Sequence, residues 1–198
     1  MEFEATGDVL VVGIRGGGVM SRAAAAVPDT CASLVDAVRR GDRDAFERLY
    51  RQFSPLVHGV LLARVPAGEV DDLVQDVFLT AYRKLDALRE SAAFGGWIAM
   101  IARNRATDFH RTKQETEEIS DELPHAASSE EDAEAARAMA AIRALPDAYR
   151  ETLTLRLVEG MTGPEIAERT GLTPASVRVN LHRGMKLLRE KLGIEETV

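Results

Sequence analysis

Residues 162–192 read TGPEIAERTGLTPASVRVNLHRGMKLLREKL, and this stretch leaves the chain little freedom in what it can fold into. Thr162 is placed to cap a helix, with Glu165 three residues on to complete a capping box. Gly171 can end that helix in the left-handed conformation that a residue without a Cβ adopts most easily. Thr173 then caps a second helix, and Pro174 occupies the first-turn position where a missing N–H costs nothing. Two helices started and stopped this closely make a helix-turn-helix.

The second of these helices sorts its residues by face. Val177, Leu181, Gly184 and Leu188 recur at helical spacing and form an inward stripe. Arg178, Val179, His182, Arg183 and Lys186 fall on the opposite arc. Between Ala175 and Leu192 there are five Arg or Lys and one acid, Glu190. A basic outer face of this kind suits a helix that enters a phosphate-lined major groove. It also suits a solvated face in an ordinary bundle, and the paired caps favour the former. Gly184 inside a helix costs about 1 kcal/mol relative to Ala, so its place on the inward stripe predicts a close helix approach.

The net charge of −7 runs against nucleic-acid binding until its distribution is read. Residues 113–136 hold nine acids and one base, Lys113. Outside that segment 24 basic residues face 23 acidic ones, so the flanking regions can still present positive surfaces. With Pro124, a Ser pair and few large apolar residues, the acidic segment reads as a flexible linker.

Ahead of the linker, the pattern turns helical from Ser33, with Leu34, Val35 and Val38 leading to a stop at Gly41. Asp42 is placed to cap DAFERLYRQF, and Pro55 is expected to bend that helix rather than end it, because the apolar stripe continues through LVHGVLLARV. Residues 65–68 form a turn. Glu69 to Leu85 is amphipathic, with Leu73, Val74, Val77, Phe78, Ala81, Tyr82 and Leu85 inward and Asp71, Asp72, Gln75, Asp76 and Lys84 outside. After a connecting loop at 86–93, residues 94–111 form a further helix. Trp97, Ile98, Ile101, Ala102 and Phe109 face inward; Arg103, Asn104, Thr107, His110 and Arg111 share one outer third. Trp97 is placed in the core rather than at a base-stacking surface.

The first thirty residues contain VLVVGIRGGGVM. The glycines lack the Gly-Lys-Ser/Thr ending and the GxGxxG spacing of phosphate loops, so an enzyme holding a phosphate there is disfavoured. A secretory signal fits poorly too, and the segment reads as a flexible arm, with Met20 an alternative start. No apolar run is long enough to span a membrane. Cys31 is the one cysteine, which points to a reducing, cytoplasmic setting, and four scattered histidines make no metal cluster, so no cofactor is expected. The expected fold is all-α: an arm (residues 1–32), a helical domain (33–112), an acidic linker (113–133) and a second helical domain (134–198). On the residues alone, a helix-turn-helix regulator that binds operator DNA by itself remains open.

Several motifs in order carry a resemblance. GDRDAFERLYRQF resembles the opening of region 2 of a bacterial sigma factor, and EVDDLVQDVFLTAYRKL the helix that docks on RNA polymerase. FGGWIAMIARNRATDFHR resembles the promoter-melting segment, and the stretch from LPDAYRETLTLRL through the helix-turn-helix resembles region 4. The set is similar to the extracytoplasmic-function group of sigma factors, with nothing like region 3 between the two parts.

The resemblance implies a subunit that is not itself an enzyme and that directs core RNA polymerase to promoter DNA. Asp72, Gln75 and Asp76 would meet the clamp helices of the largest polymerase subunit. Asn104 and the loop Leu88-Arg89 would hold a flipped base of the −10 element, and Arg103 and Arg111 would contact its backbone. Arg178, Val179, His182 and Arg183 would read the −35 element, with Ser176 and Lys186 near phosphates. An anti-sigma partner is implied as well. The linker is expected either to hold the halves apart as a tether or to thread polymerase channels and repel free DNA.

Overall fold

The structure, a computed structural model, describes residues 30–117 and 130–193. Residues 1–29 of the arm, with its glycine cluster and Met20, and the middle of the linker lie outside the described residues. Eight α-helices account for most of the rest: α1 (Cys31–Arg39), α2 (Arg43–Leu62), α3 (Val70–Arg83), α4 (Phe94–Glu117), α5 (Glu130–Arg143), α6 (Asp147–Leu157), α7 (Gly163–Thr170) and α8 (Pro174–Leu192). Short 3-10 turns at 67–69, 85–87 and 91–93 connect α2 to α3 and α3 to α4.

The starts and stops follow local chemistry. Thr30 caps α1 by accepting from the Ser33 amide, which sets the first helix two residues earlier than the apolar spacing predicts. Asp42 caps α2 through the Ala45 amide. Pro55 lies within α2, and the helix continues past it to Leu62. Val65 is buried beyond the end of α2, and Pro66 precedes the 3-10 turn that leads into α3.

Helices α1 to α4 pack around Leu49, Leu56, Val57, Val60, Leu61, Val77 and Ile98, all fully buried. Phe94 is also fully buried, its ring centroid 5.1 Å from Phe53 and 5.8 Å from Trp97. Trp97 is half-buried against this core, as its spacing predicts. Tyr82 departs from its predicted place in the inward stripe. It is 48% exposed, its ring seated on Phe46 at 4.8 Å at the rim of the α2–α3 contact. The apolar arc of α3 is thus narrower than its composition implies, and the bulky rim residue needs only one ring face covered.

Two differences concern the linker. Helix α4 runs on to Glu117 and α5 starts at Glu130, so residues 113–117 and 130–133, expected to be flexible, are helical. Runs of Glu, Ala and Lys are good helix formers, and charge alone does not stop a helix. The second difference is larger: the two helical modules are packed together rather than held apart. Leu155, Met161, Ile166, Ala167 and Val177 of the second module belong to the same continuous core as α1–α4. A smaller core of Ile142, Leu145, Leu153 and Leu188 binds α5, α6 and α8 to one another.

Two glycines permit the close approach of the modules. A Cβ on Gly59 of α2 would fall 2.7 Å from Leu155 Cδ2, and one on Gly95 of α4 would fall 2.5 Å from the Arg169 carbonyl oxygen. Either is closer than atoms tolerate, and the second obstacle is backbone, which cannot rotate away.

Candidate nucleic-acid and polymerase interface

The helix-turn-helix is built as its sequence dictates. The Glu165 amide donates to Thr162 Oγ1 at 3.4 Å, and Glu165 Oε2 accepts from the Thr162 amide at 2.8 Å, closing the capping box. These bonds to the Thr162 backbone and hydroxyl hold the Glu165 carboxyl below its usual pKa. Gly171 ends α7 with φ of 76°, and Thr173 opens α8 by accepting from the Ser176 amide at 3.1 Å.

On α8, Val177, Gly184 and Leu188 are buried and Leu181 half-buried. A Cβ at Gly184 would lie 3.1 Å from Leu153 Cδ1 and 3.2 Å from Tyr149 Cβ, so this glycine lets α6 pack close against α8. Ser176, Arg178, Val179, His182, Arg183 and Lys186 are all exposed. Among the described residues, Arg178, Arg183 and Lys186 form no ion pair. The face therefore offers three uncommitted cations around an apolar Val179, which is 44% exposed.

The first module presents a different picture. Asn104, Arg89 and Arg111 are exposed, and Arg111 pairs with Asp108 at 3.0 Å on the helix surface. Arg103 is engaged elsewhere: its Nε and Nη2 donate to Glu151 of α6 at 3.0 and 2.7 Å. That carboxylate raises the Arg103 pKa, against a smaller opposing effect of burial. Leu88 is 5% exposed and belongs to the core, so its side chain is turned away from the surface that a flipped base would use. The physical reason is Arg39, which the sequence reading did not single out. Its guanidinium donates to the carbonyls of Leu85, at 3.1 Å, and Leu88, and to Ser91 Oγ at 3.0 Å, drawing the loop onto α1. A basic residue in the last turn of a helix facing a short polar loop was the available signal.

Asp72 and Gln75 are exposed on α3, and Asp76, on the same outer face, pairs with Arg105 of α4. Leu79 and Tyr82, 52% and 48% exposed, extend the outer surface of the same helix. They are apolar residues that periodicity assigned to no site or to the core. Cys31 is half-buried with its Sγ 3.8 Å from the Ser91 carbonyl, and burial pushes its thiol up to about 11. Among the described residues no group of three or more His, Cys, Asp or Glu is placed to hold a metal ion, and no helix is long and apolar enough to cross a membrane.

Comparison with known proteins agrees with this architecture. Residues 49–116 match the sigma-70 region 2 family, and residues 135–188 match the sigma-70 region 4 family. RNA polymerase sigma factor CarQ of Myxococcus xanthus is 31% identical over 166 residues, covering 80% of this chain and 95% of that protein. The ECF RNA polymerase sigma-E factor of Escherichia coli K12 is 28% identical over 176 residues, covering 80% and 92%. Among solved structures, CnrH in complex with the cytosolic domain of CnrY is similar with a TM-score of 0.59 and 25% identity, over 84% of this chain and 99% of that one. The fold is shared with the sigma factor RpoE of Bartonella quintana, at a TM-score of 0.52 and 19% identity over 76% and 98%. With both family regions matched in order, and a relative above 30% identity aligned over nearly its whole length, this chain belongs to the extracytoplasmic-function group of sigma-70 factors.

Proposed function

We infer that this protein is an alternative sigma subunit, which binds core RNA polymerase and directs it to start transcription at a limited set of promoters. It supplies recognition, and the bond-making chemistry belongs to the polymerase. The observation that carries the reading is the pairing of an uncommitted basic face on α8 with an intact region 2 bundle in one chain.

Three surfaces divide the work. The exposed arc of α8 reads the −35 element, with Arg178, Val179, His182 and Arg183 toward base edges and Ser176 and Lys186 toward phosphates. A bidentate Arg183–guanine contact gives about 1–3 kcal/mol of discrimination. On α4, Asn104 offers both a donor and an acceptor to an unstacked base of the −10 element, with Arg89 beside that base and Arg103 and Arg111 near its backbone. Leu88 supports that loop from within rather than touching the base. The outer face of α3, with Asp72, Gln75 and Asp76, docks on the polymerase clamp. A protein partner of the anti-sigma kind is part of this reading, supported by the similar CnrH, whose structure is a complex with the cytosolic domain of CnrY.

Gel-shift titration of a promoter fragment, with and without core polymerase, tests the reading. Specific retention that needs the polymerase supports it. Equally tight, specific binding by the chain alone would make it a stand-alone helix-turn-helix regulator instead.

A further inference from the structure

The interface between the modules encloses one acid between two bases. The Glu151 side chain, 9% exposed, lies on α6 facing the first module. Its Oε2 is 2.8 Å from Arg64 Nη2 at the end of α2, and both of its oxygens accept from the Arg103 fork of α4. Arg64 also donates to the Val60 carbonyl at 3.1 Å, which fixes its direction. One carboxylate between two guanidinium groups leaves the cluster with a surplus positive charge.

Such a cluster is a poor adhesive. Desolvating the three charges offsets most of their attraction, and apolar residues of similar volume would hold the modules at least as well. What the arrangement does provide is geometry. One planar fork, Arg103, and one nitrogen of a second guanidinium, Arg64, converge on a pair of oxygens; a phosphodiester suits such a pair of cations, and a carboxylate presents the same two oxygens. Arg103 shares the outer third of α4 with Asn104, Thr107 and Arg111, so the cluster adjoins the surface proposed for the −10 strand.

The packed form also conflicts with simultaneous promoter contact. About 150 ordered residues packed at ordinary density are about 40 Å across. The −35 and −10 positions differ by about 25 base pairs in their numbering, which is about 85 Å of B-form DNA. The modules must therefore part before both elements are held, and parting frees Arg64 and Arg103 together.

We propose that Arg64 and Arg103 form a phosphate-binding site for promoter DNA, and that in the closed chain Glu151 occupies it in place of the phosphate. The site thereby makes closure and DNA binding mutually exclusive. His58 of α2 and Glu159, whose Nδ1 and Oε1 are 2.6 Å apart, form a second tie across the same interface without lying on the DNA-facing side of α4. The proposal rests on the promoter-binding reading above.

The test uses the full chain without polymerase. A fluorescent single-stranded oligonucleotide gives affinity by anisotropy, and small-angle scattering gives the radius of gyration. Glu151→Gln keeps the shape of the side chain and removes its charge. It should bind the oligonucleotide about tenfold tighter, as freeing charge-assisted donors implies, with a larger radius. Adding Arg103→Ala or Arg64→Ala to that variant should abolish most of the gain. Circular dichroism melting confirms that each variant is folded. Should Glu151→Gln not fold, His58→Ala at the second tie serves instead: it should enlarge the radius and tighten binding by a smaller factor, again dependent on Arg103. Unchanged affinity and radius in a folded variant, or a gain that survives loss of both arginines, overturns the proposal. Failure of the sigma-factor reading would be seen separately, as wild-type chain that core polymerase does not use.

Discussion

The outer face of α8 and the arginines packed around α4 treat their charges in opposite ways. On α8, Arg178, Arg183 and Lys186 stand in solvent with no partner among the described residues. On the first module, Arg103 is forked onto Glu151, Arg105 onto Asp76, and Arg39 onto the carbonyls of the loop at 85–88. Under the proposed function, α8 needs no rearrangement to meet duplex DNA, whereas placing a melted strand on α4 requires contacts to be exchanged. Reading duplex DNA asks for a rigid helix with fixed side chains. Holding an unstacked strand requires a surface that becomes available when the duplex opens.

The largest effect that separates the modules from a pair of independent domains is expected in the shared core. Phe94→Ala removes a fully buried ring and should cost about 3–5 kcal/mol. Because Ile166 of the second module lies in the same core, Ile166→Ala should cost about 2–5 kcal/mol, and both variants should melt in one transition by calorimetry. Two separated transitions in the wild-type chain would show that the modules fold independently.

Gly184→Ala comes next. A methyl group there meets Leu153 and Tyr149 within 3.2 Å, and overpacking of this kind costs about 1–3 kcal/mol, partly offset by the about 1 kcal/mol that Ala gains over Gly inside a helix. The melting temperature should fall while the folded fraction keeps its affinity for −35 DNA. An unchanged or raised melting temperature with promoter binding lost would place Gly184 at the DNA instead.

Thr173→Ala removes the cap of α8 and should cost about 1 kcal/mol, measured by urea unfolding. The effect sharpens the contrast because it acts on the module whose helix relies on its own ends.

The last effect appears only at alkaline pH and concerns Cys31. Its thiol is held up at about 11 in the folded chain, above the ordinary 9.0, so the fold favours the protonated form. That contribution is intact below pH 9 and is lost as pH rises toward 11. The wild-type chain should lose stability over that window relative to Cys31→Ser, and alkylation of the folded thiol at pH 9 should be slower than in urea.

Much of this was legible in the sequence because it is local. Caps at Asp42, Thr162 and Thr173, the left-handed Gly171, the inward Gly184 and the outward arc of α8 all follow from spacing within one or two helices. What the sequence did not show lies where distant segments meet. Nothing near Arg103 in the chain announces Glu151, 48 residues on, and nothing near Leu88 announces Arg39, 49 residues back. Gly59 and Gly95 read as ordinary helix glycines until the second module is laid against them. Tyr82 shows a related limit: periodicity locates the centre of an apolar face well and its rim poorly.

The division of labour between this subunit and the polymerase is tested most directly by run-off transcription. Purified chain and core polymerase, mixed with a promoter library, should yield discrete transcripts that disappear when either protein is omitted and that weaken with Arg183→Ala. A mixture that yields no transcripts beyond those of core polymerase alone, from chain shown to be folded, would contradict it.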